Sequence, residues 1–235
     1  MKIWIFRRFP PWYWGFITGF FLLMALFPDI LQLMAVDGAT PNPIYHGNKS
    51  DPKVAIGCNV FWGEEYLPEM LDILDQNKIK ITFFVGGSWA KRHPEMVKLI
   101  AQRGHEIGNH SYSHPHPNTL SKEQNKDQIL RAEELIRDYT GVRTSLYAPP
   151  YGEFNVTVLQ AASELNYTTI LWSIDTIDWK RPSKDIIVSR VEKKLHNGAI
   201  ILIHPTKPTT DALPELIALI QSRGLSVNPV SALLH

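Results

Sequence analysis

From Pro52 onward the chain alternates short apolar runs with segments whose apolar residues recur every three to four positions, and this alternation restricts the fold more than any other feature. A strand followed by a helix and then another strand needs a crossover, so the strands run mostly parallel and the helices wrap the sheet. The strand-like runs are Val54–Asn59, Lys80–Val85, Glu106–Gly108, Ser145–Ala148, Thr168–Trp172, Ala199–His204 and a short last one near Leu225–Val227. Helix-period segments lie between them at Glu65–Gln76, Pro94–Arg103, Lys122–Tyr139, Val156–Leu165, Lys184–His196 and Asp211–Ser222. In the last of these, Leu213, Leu216, Ile217 and Ile220 line one face and Gly224 supplies a stop signal. Seven strands suit an α/β barrel better than a small open sheet.

The balance of the 24 Lys plus Arg against 23 Asp plus Glu leaves a formal charge of +1, which gives no sign of nucleic acid as a partner. Cys58 is the single cysteine, so an intrachain disulfide is excluded, and its place in an apolar run points to a buried thiol.

The first residues differ from the rest. Lys2, Arg7 and Arg8 form a basic end over 1–8, and the uncharged stretch Phe9–Pro28 that follows is dense in Trp, Phe and Leu. Residues 9–36 are expected to be a transmembrane anchor or a signal peptide, with the basic end cytoplasmic and the rest exported. That makes the membrane a partner of the N-terminal segment, and cleavage would make the remainder a secreted protein. Residues 37–51, rich in Pro, Asn and Gly, read as a tether before a domain over 52–235.

Working residues of parallel α/β folds gather on loops after the C-terminal ends of strands. Four motifs fall at such places in this order: His110-Ser-Tyr-Ser-His114, Pro149-Pro-Tyr-Gly152, Asp175-Thr-Ile-Asp178-Trp179 and Leu202-Ile-His204. Two imidazoles four residues apart face one divalent ion readily, and a hydrolytic zinc site adds a third protein ligand and keeps one position for water.

In that order the motifs resemble the polysaccharide deacetylase family with the NodB-type domain, carbohydrate esterases that remove acetyl groups from chitin, peptidoglycan and related polymers. The resemblance covers about residues 52–235. It implies a distorted (β/α) barrel holding a divalent metal by one Asp and two His. Carried over by position, His110 and His114 match metal ligands, His204 matches the acid that protonates the departing amine, and Asp178 matches the group that orients it. Tyr151 matches the residue whose backbone N–H helps hold the oxyanion, on a loop stiffened by Pro149 and Pro150, and Trp179 would wall the sugar site.

The first motif of that family, Thr-Phe-Asp-Asp-Gly, is degenerate here: Asn59 stands at the base and Val60 at the metal Asp. The family arginine that holds the base carboxylate is Ala148 in this chain. An amide cannot take a proton from water near neutral pH, and loss of a positioned base costs about 10²–10⁴ in rate. With two histidines alone, zinc or a similar ion is expected to be weakly held or absent. Glu64 or Glu65, in the loop after the first strand, is the available replacement as ligand or base; a helix N-terminus also favours such charges. The form Asn-Val-x-Trp-Gly-x-Glu-Tyr is similar to a sporulation-associated subgroup. Two readings are therefore open: a hydrolase of non-peptide carbon-nitrogen bonds in N-acetylated cell-wall glycan, with atypical or impaired chemistry, and a catalytically inactive glycan-binding pseudoenzyme.

Overall fold

The computed structural model describes residues 41–234; the expected anchor at 9–36 and the basic end at 1–8 lie outside them. Among the described residues, eight strands form one sheet: β1 Lys53–Val60, β2 Thr82–Val85, β3 Glu106–Asn109, β4 Leu146–Tyr147, β5 Thr168–Thr169, β6 Ile174–Asp175, β7 Ile200–Ile203 and β8 Ser226–Asn228. Their order is β5-β4-β3-β2-β1-β7-β6, every pairing is parallel, and β8 lies beside the first residues of β1. Seven α-helices accompany it among the described residues: α1 Leu67–Gln76, α2 Gly87–Arg92, α3 Pro94–Gln102, α4 Lys122–Thr140, α5 Val156–Glu164, α6 Lys184–Lys194 and α7 Lys207–Ser222. The expected run Thr168–Trp172 is a strand only over Thr168–Thr169; beyond it the chain leaves β5 and crosses to the far edge of the sheet, where β6, a strand not expected, begins at Ile174. No ladder joins β5 to β6, so the barrel is left incomplete along that seam. Residues 87–92 form a helix that periodicity alone did not reveal.

Alternation along β1 sorts its side chains. Val54, Ile56, Cys58 and Val60 enter the layer between sheet and helices, where they meet Leu67, Met70, Leu71, Leu213 and Ile217. Ala55 belongs to a second, inner cluster with Phe84, Leu146, Ala148, Ile170 and Ile200. Gly57 and Gly108 make room for Phe84 there, since a Cβ on Gly108 would lie 2.4 Å from its ring. The C-terminal turn Val230–Leu233 stoppers this interior, with Thr82 Oγ1 accepting the Val230 N–H at 2.8 Å.

Residues 41–51, expected as part of a tether, begin the folded unit instead. The Ile44 N–H donates to Thr169 O at 2.9 Å, Ile44 O accepts from Leu171 N at 2.7 Å, and the Gly47 N–H donates to Gly198 O at 2.7 Å. Edge strands leave backbone groups unpaired, and these residues satisfy some of them beside the open seam. Among the described residues no helix is long and apolar enough to cross a membrane.

Candidate functional site

A cavity of about 360 Å³ opens where the strands end, lined by residues from the loops after β1, β3, β4, β6 and β7. His110 follows β3 directly and is buried. The loop carrying it is tied down by Asn109, whose Nδ2 donates to Ile129 O of α4 at 2.8 Å while its Oδ1 accepts from Ser111 N at 2.9 Å. Ser113 donates from its backbone N–H to Gln128 Oε1 at 2.9 Å, and the N–H groups of Gly87 and Ser88 hold the Ser111 and Tyr112 carbonyls. These ties maintain left-handed backbone at Ser111 and His114, φ 62° and 56°.

The two imidazoles come together, with ring centroids 4.9 Å apart. The Nδ1–H of His110 donates to Ala148 O at 2.7 Å, so its Nε2 lone pair is free for a ligand, the arrangement a metal-binding histidine uses. Burial, then the positive charges of His114 and His204, push the His110 pKa down to about 3 against the opposing Ala148 carbonyl. Burial lowers that of His114 as well.

The donor set stops there. Among the described residues no group of three His, Cys, Asp or Glu side chains is placed to hold a metal ion. Asn59 lines the cavity, whereas Val60 is fully buried in the outer core. Glu64 and Glu65 are not brought to the site. Glu64 is drawn toward α2, where its Oε2 accepts from Trp89 Nε1 at 3.3 Å and its Oε1 lies 3.7 Å from His93 Nε2; Glu65 is exposed. The expected replacement carboxylate is therefore otherwise engaged. The residues present do not fit the three-ligand centre of a hydrolytic zinc enzyme.

Opposite the pair stands the other half of the site. His204 follows β7, and Asp178, fully buried in the turn Asp178–Lys180, accepts from its Nδ1 at 2.7 Å and its backbone N–H at 2.6 Å. Thr209 Oγ1 adds a third bond to the same carboxylate at 2.6 Å. Pro150 is buried at the start of the turn Pro150–Gly152, which presents Tyr151 at φ 60° against His114, ring centroids 4.6 Å apart. Tyr151 and Trp179 line the cavity and remain more than half exposed, so each offers a free aromatic surface. Phe61, Trp62, Trp172 and Asp175 line it too. Sequence reasoning assigned none of these four a role, although Phe61 and Trp62 stand just past β1, a loop position that faces the site in this class of fold.

Residues 46–170 match the family model described as polysaccharide deacetylase. The chain belongs to the polysaccharide deacetylase family. It is 42% identical over 209 residues to an uncharacterized protein, YlxY, of Bacillus subtilis, covering 89% of this chain and 66% of that one. To a peptidoglycan-N-acetylglucosamine deacetylase of Bacillus cereus it is 38% identical over 165 residues, covering 68% of this chain and 60% of the relative. The chain thus spans less than two thirds of the length of either. Among solved structures, wild-type BA3943 of Bacillus anthracis, described as a CE4 family pseudoenzyme, superposes with a TM-score of 0.82 at 41% identity, over 83% of this chain and 69% of the other. A mutant of that protein, described as having restored enzymatic activity, superposes with a TM-score of 0.81 at 39% identity, over 83% and 72% of the two chains.

His204 and Asp178, which the resemblance matches to an acid and its orienting group, are hydrogen-bonded to one another, and Trp179 lines the cavity with His204. At the positions matched to the base and the metal Asp stand Asn59 and Val60. Phe61 packs against His114, ring centroids 4.9 Å apart, so the histidines face an aromatic ring on the side of the degenerate motif.

Proposed function

We propose that this family member is a catalytically inactive, glycan-binding protein, which takes N-acetylated sugar units of cell-wall polysaccharide into the cavity without releasing acetate. The observation that carries this reading is the placement of Glu64: the carboxylate nearest in sequence to the lost pair is held by Trp89 and His93. Asp175, the carboxylate among the cavity-lining residues, has its Oδ1 bonded to the Ile177 N–H at 2.8 Å. A water molecule in the cavity would meet neither a three-ligand metal nor the family's base.

Binding remains well provided for. The lining mixes aromatic faces with the Asn59 amide, which pairs with an acetamido group as donor and acceptor, and no Lys or Arg is among the lining residues. A neutral N-acetylhexosamine suits such a lining. The neighbours described as pseudoenzymes support the same reading. An N-terminal anchor, if retained, would keep the domain beside the wall on the outer side of the membrane; a cleaved signal would release it.

The test measures acetate released from N-acetylglucosamine oligomers and from peptidoglycan, with zinc, with cobalt and with chelator, alongside oligomer binding. Binding without acetate under every condition is expected. Metal-dependent release abolished by Glu64→Gln or Glu65→Gln would overturn the proposal in favour of a modified hydrolase.

A further inference from the structure

Trp62 occupies a place that no part of the deacetylase chemistry needs. Its indole lies parallel to the His204 imidazole, with an interplanar angle of 4° and ring centroids 5.8 Å apart. Both side chains line the cavity. Parallel rings at that separation form an offset stack, in which the imidazole backs part of the indole. Trp62 is an exposed residue whereas the His204 side chain is only 16% exposed, so the larger share of the free aromatic surface belongs to Trp62.

Three contacts hold the short loop that bears it. Phe61 lies against Gly86, where a Cβ would come within 2.3 Å of its ring. Gly63, at φ +81°, sits so close to Pro205 that a Cβ would be 2.1 Å from its carbonyl oxygen. Glu64 takes the Trp89 indole N–H and faces His93. The indole is thereby fixed on both sides in sequence before any ligand arrives, and a surface already ordered loses little entropy on binding.

We propose that Trp62 and His204 form a stacking shelf for the C–H face of an N-acetylhexosamine ring, and that Trp62 is a principal binding residue of this chain. A pyranose whose substituents are all equatorial presents axial C–H bonds on both faces, the chemistry that an uncharged aromatic plane receives. In this role the Asp178–His204 pair supports the shelf: Asp178 fixes the plane of the imidazole, and the indole stacks parallel to it with the larger exposed surface. The inference rests on the glycan-binding reading above and adds to it the residue on which the sugar lies.

Calorimetric titration of the full-length chain with the β-1,4-linked N-acetylglucosamine tetramer tests it. Wild type is expected to bind, Trp62→Ala to lose affinity about fivefold or more, and Trp62→Tyr, which restores a flat ring, to recover at least half of that loss in free energy. Because the side chain is a partly exposed loop residue, the thermal midpoints of both variants should match wild type, and the Tyr variant controls for any change in the loop. A smaller loss in Trp62→Ala, or tighter binding, overturns the shelf while leaving the glycan-binding reading in place. Absence of tetramer binding by wild type overturns that reading and the shelf with it.

Discussion

Asp178 holds His204 by two atoms at once, Oδ1 on the ring Nδ1 at 2.7 Å and Oδ2 on the backbone N–H at 2.6 Å. The same buried carboxylate accepts from Thr209, so three donors converge on it. Such a group resists replacement on structural grounds alone. Asp178→Asn brings an NH₂ against one of these donors and is expected to destabilise the protein by about 3 kcal/mol in urea unfolding. Thr209→Val, which removes one donor and leaves two, should cost about 1 kcal/mol.

Zinc should bind poorly. His110 offers a free Nε2 beside His114, yet two imidazoles supply only part of a hydrolytic site. Thermal unfolding midpoints in 0.1 mM zinc and in chelator are expected to agree within about 1 °C, since an ion far below its dissociation constant adds almost nothing to stability. A zinc-dependent rise of several degrees, lost in His110→Ala, would contradict this.

Acid should weaken the fold through a histidine remote from the cavity. The His105 Nδ1 accepts from the Ile81 N–H at 3.2 Å, so its proton is on Nε2, a buried atom with no hydrogen-bond partner. Burial, assisted by the charge of Lys80, pushes its pKa from 6.5 down to about 4. The folded state thus favours the neutral ring, and the stabilisation is present above the unfolded pKa of 6.5 and lost as pH falls toward 4. Between pH 7 and pH 5 this group alone should remove about 2 kcal/mol. In His105→Gln, urea titrations across that range should show a shallower fall, with His110 and His114 contributing to the remainder.

Gly63 is irreplaceable on two independent grounds. Its φ of +81° disfavours any side chain, and a Cβ would collide with the Pro205 carbonyl at 2.1 Å, which is backbone and cannot swing aside. Gly63→Ala should lower stability by about 2–4 kcal/mol and weaken N-acetylglucosamine tetramer binding through displacement of Trp62. Gly141→Ala serves as a comparison: it shares the left-handed backbone at φ +73° but meets nothing within 4 Å, and should cost about 1 kcal/mol with binding unchanged.

Much of this architecture was legible beforehand, because alternation of strand and helix periods is a local signal and strand ends mark where loops gather. Each of the seven expected strands falls on a single observed one; β6 was missed and the run Thr168–Trp172 drawn too long, because its apolar residues leave β5 and cross the seam in a turn that carries no Gly or Pro to announce it. His204 and Asp178, which the structure brings into hydrogen-bond contact, could be singled out together because motif order survives substitution elsewhere. Glu64 was misjudged for a physical reason: charge and chain position place it near the site, but the indole N–H of Trp89, 25 residues away, decides where it points. Trp62 escaped notice because a single aromatic side chain has no pattern until its neighbour His204, distant in sequence, is beside it.

The docking of residues 44–47 also orders events in time. Ile44 pairs with Ile170, and His46 with Ala199, so the first part of the domain to leave the ribosome waits for more than a hundred further residues before its partners exist. Contacts so far apart in sequence close slowly. Until then the backbone groups along the seam are open to other strands, and a nascent chain is exposed there to aggregation and to proteases. The stretch that looked like a spacer is part of the long-range closure of the sheet.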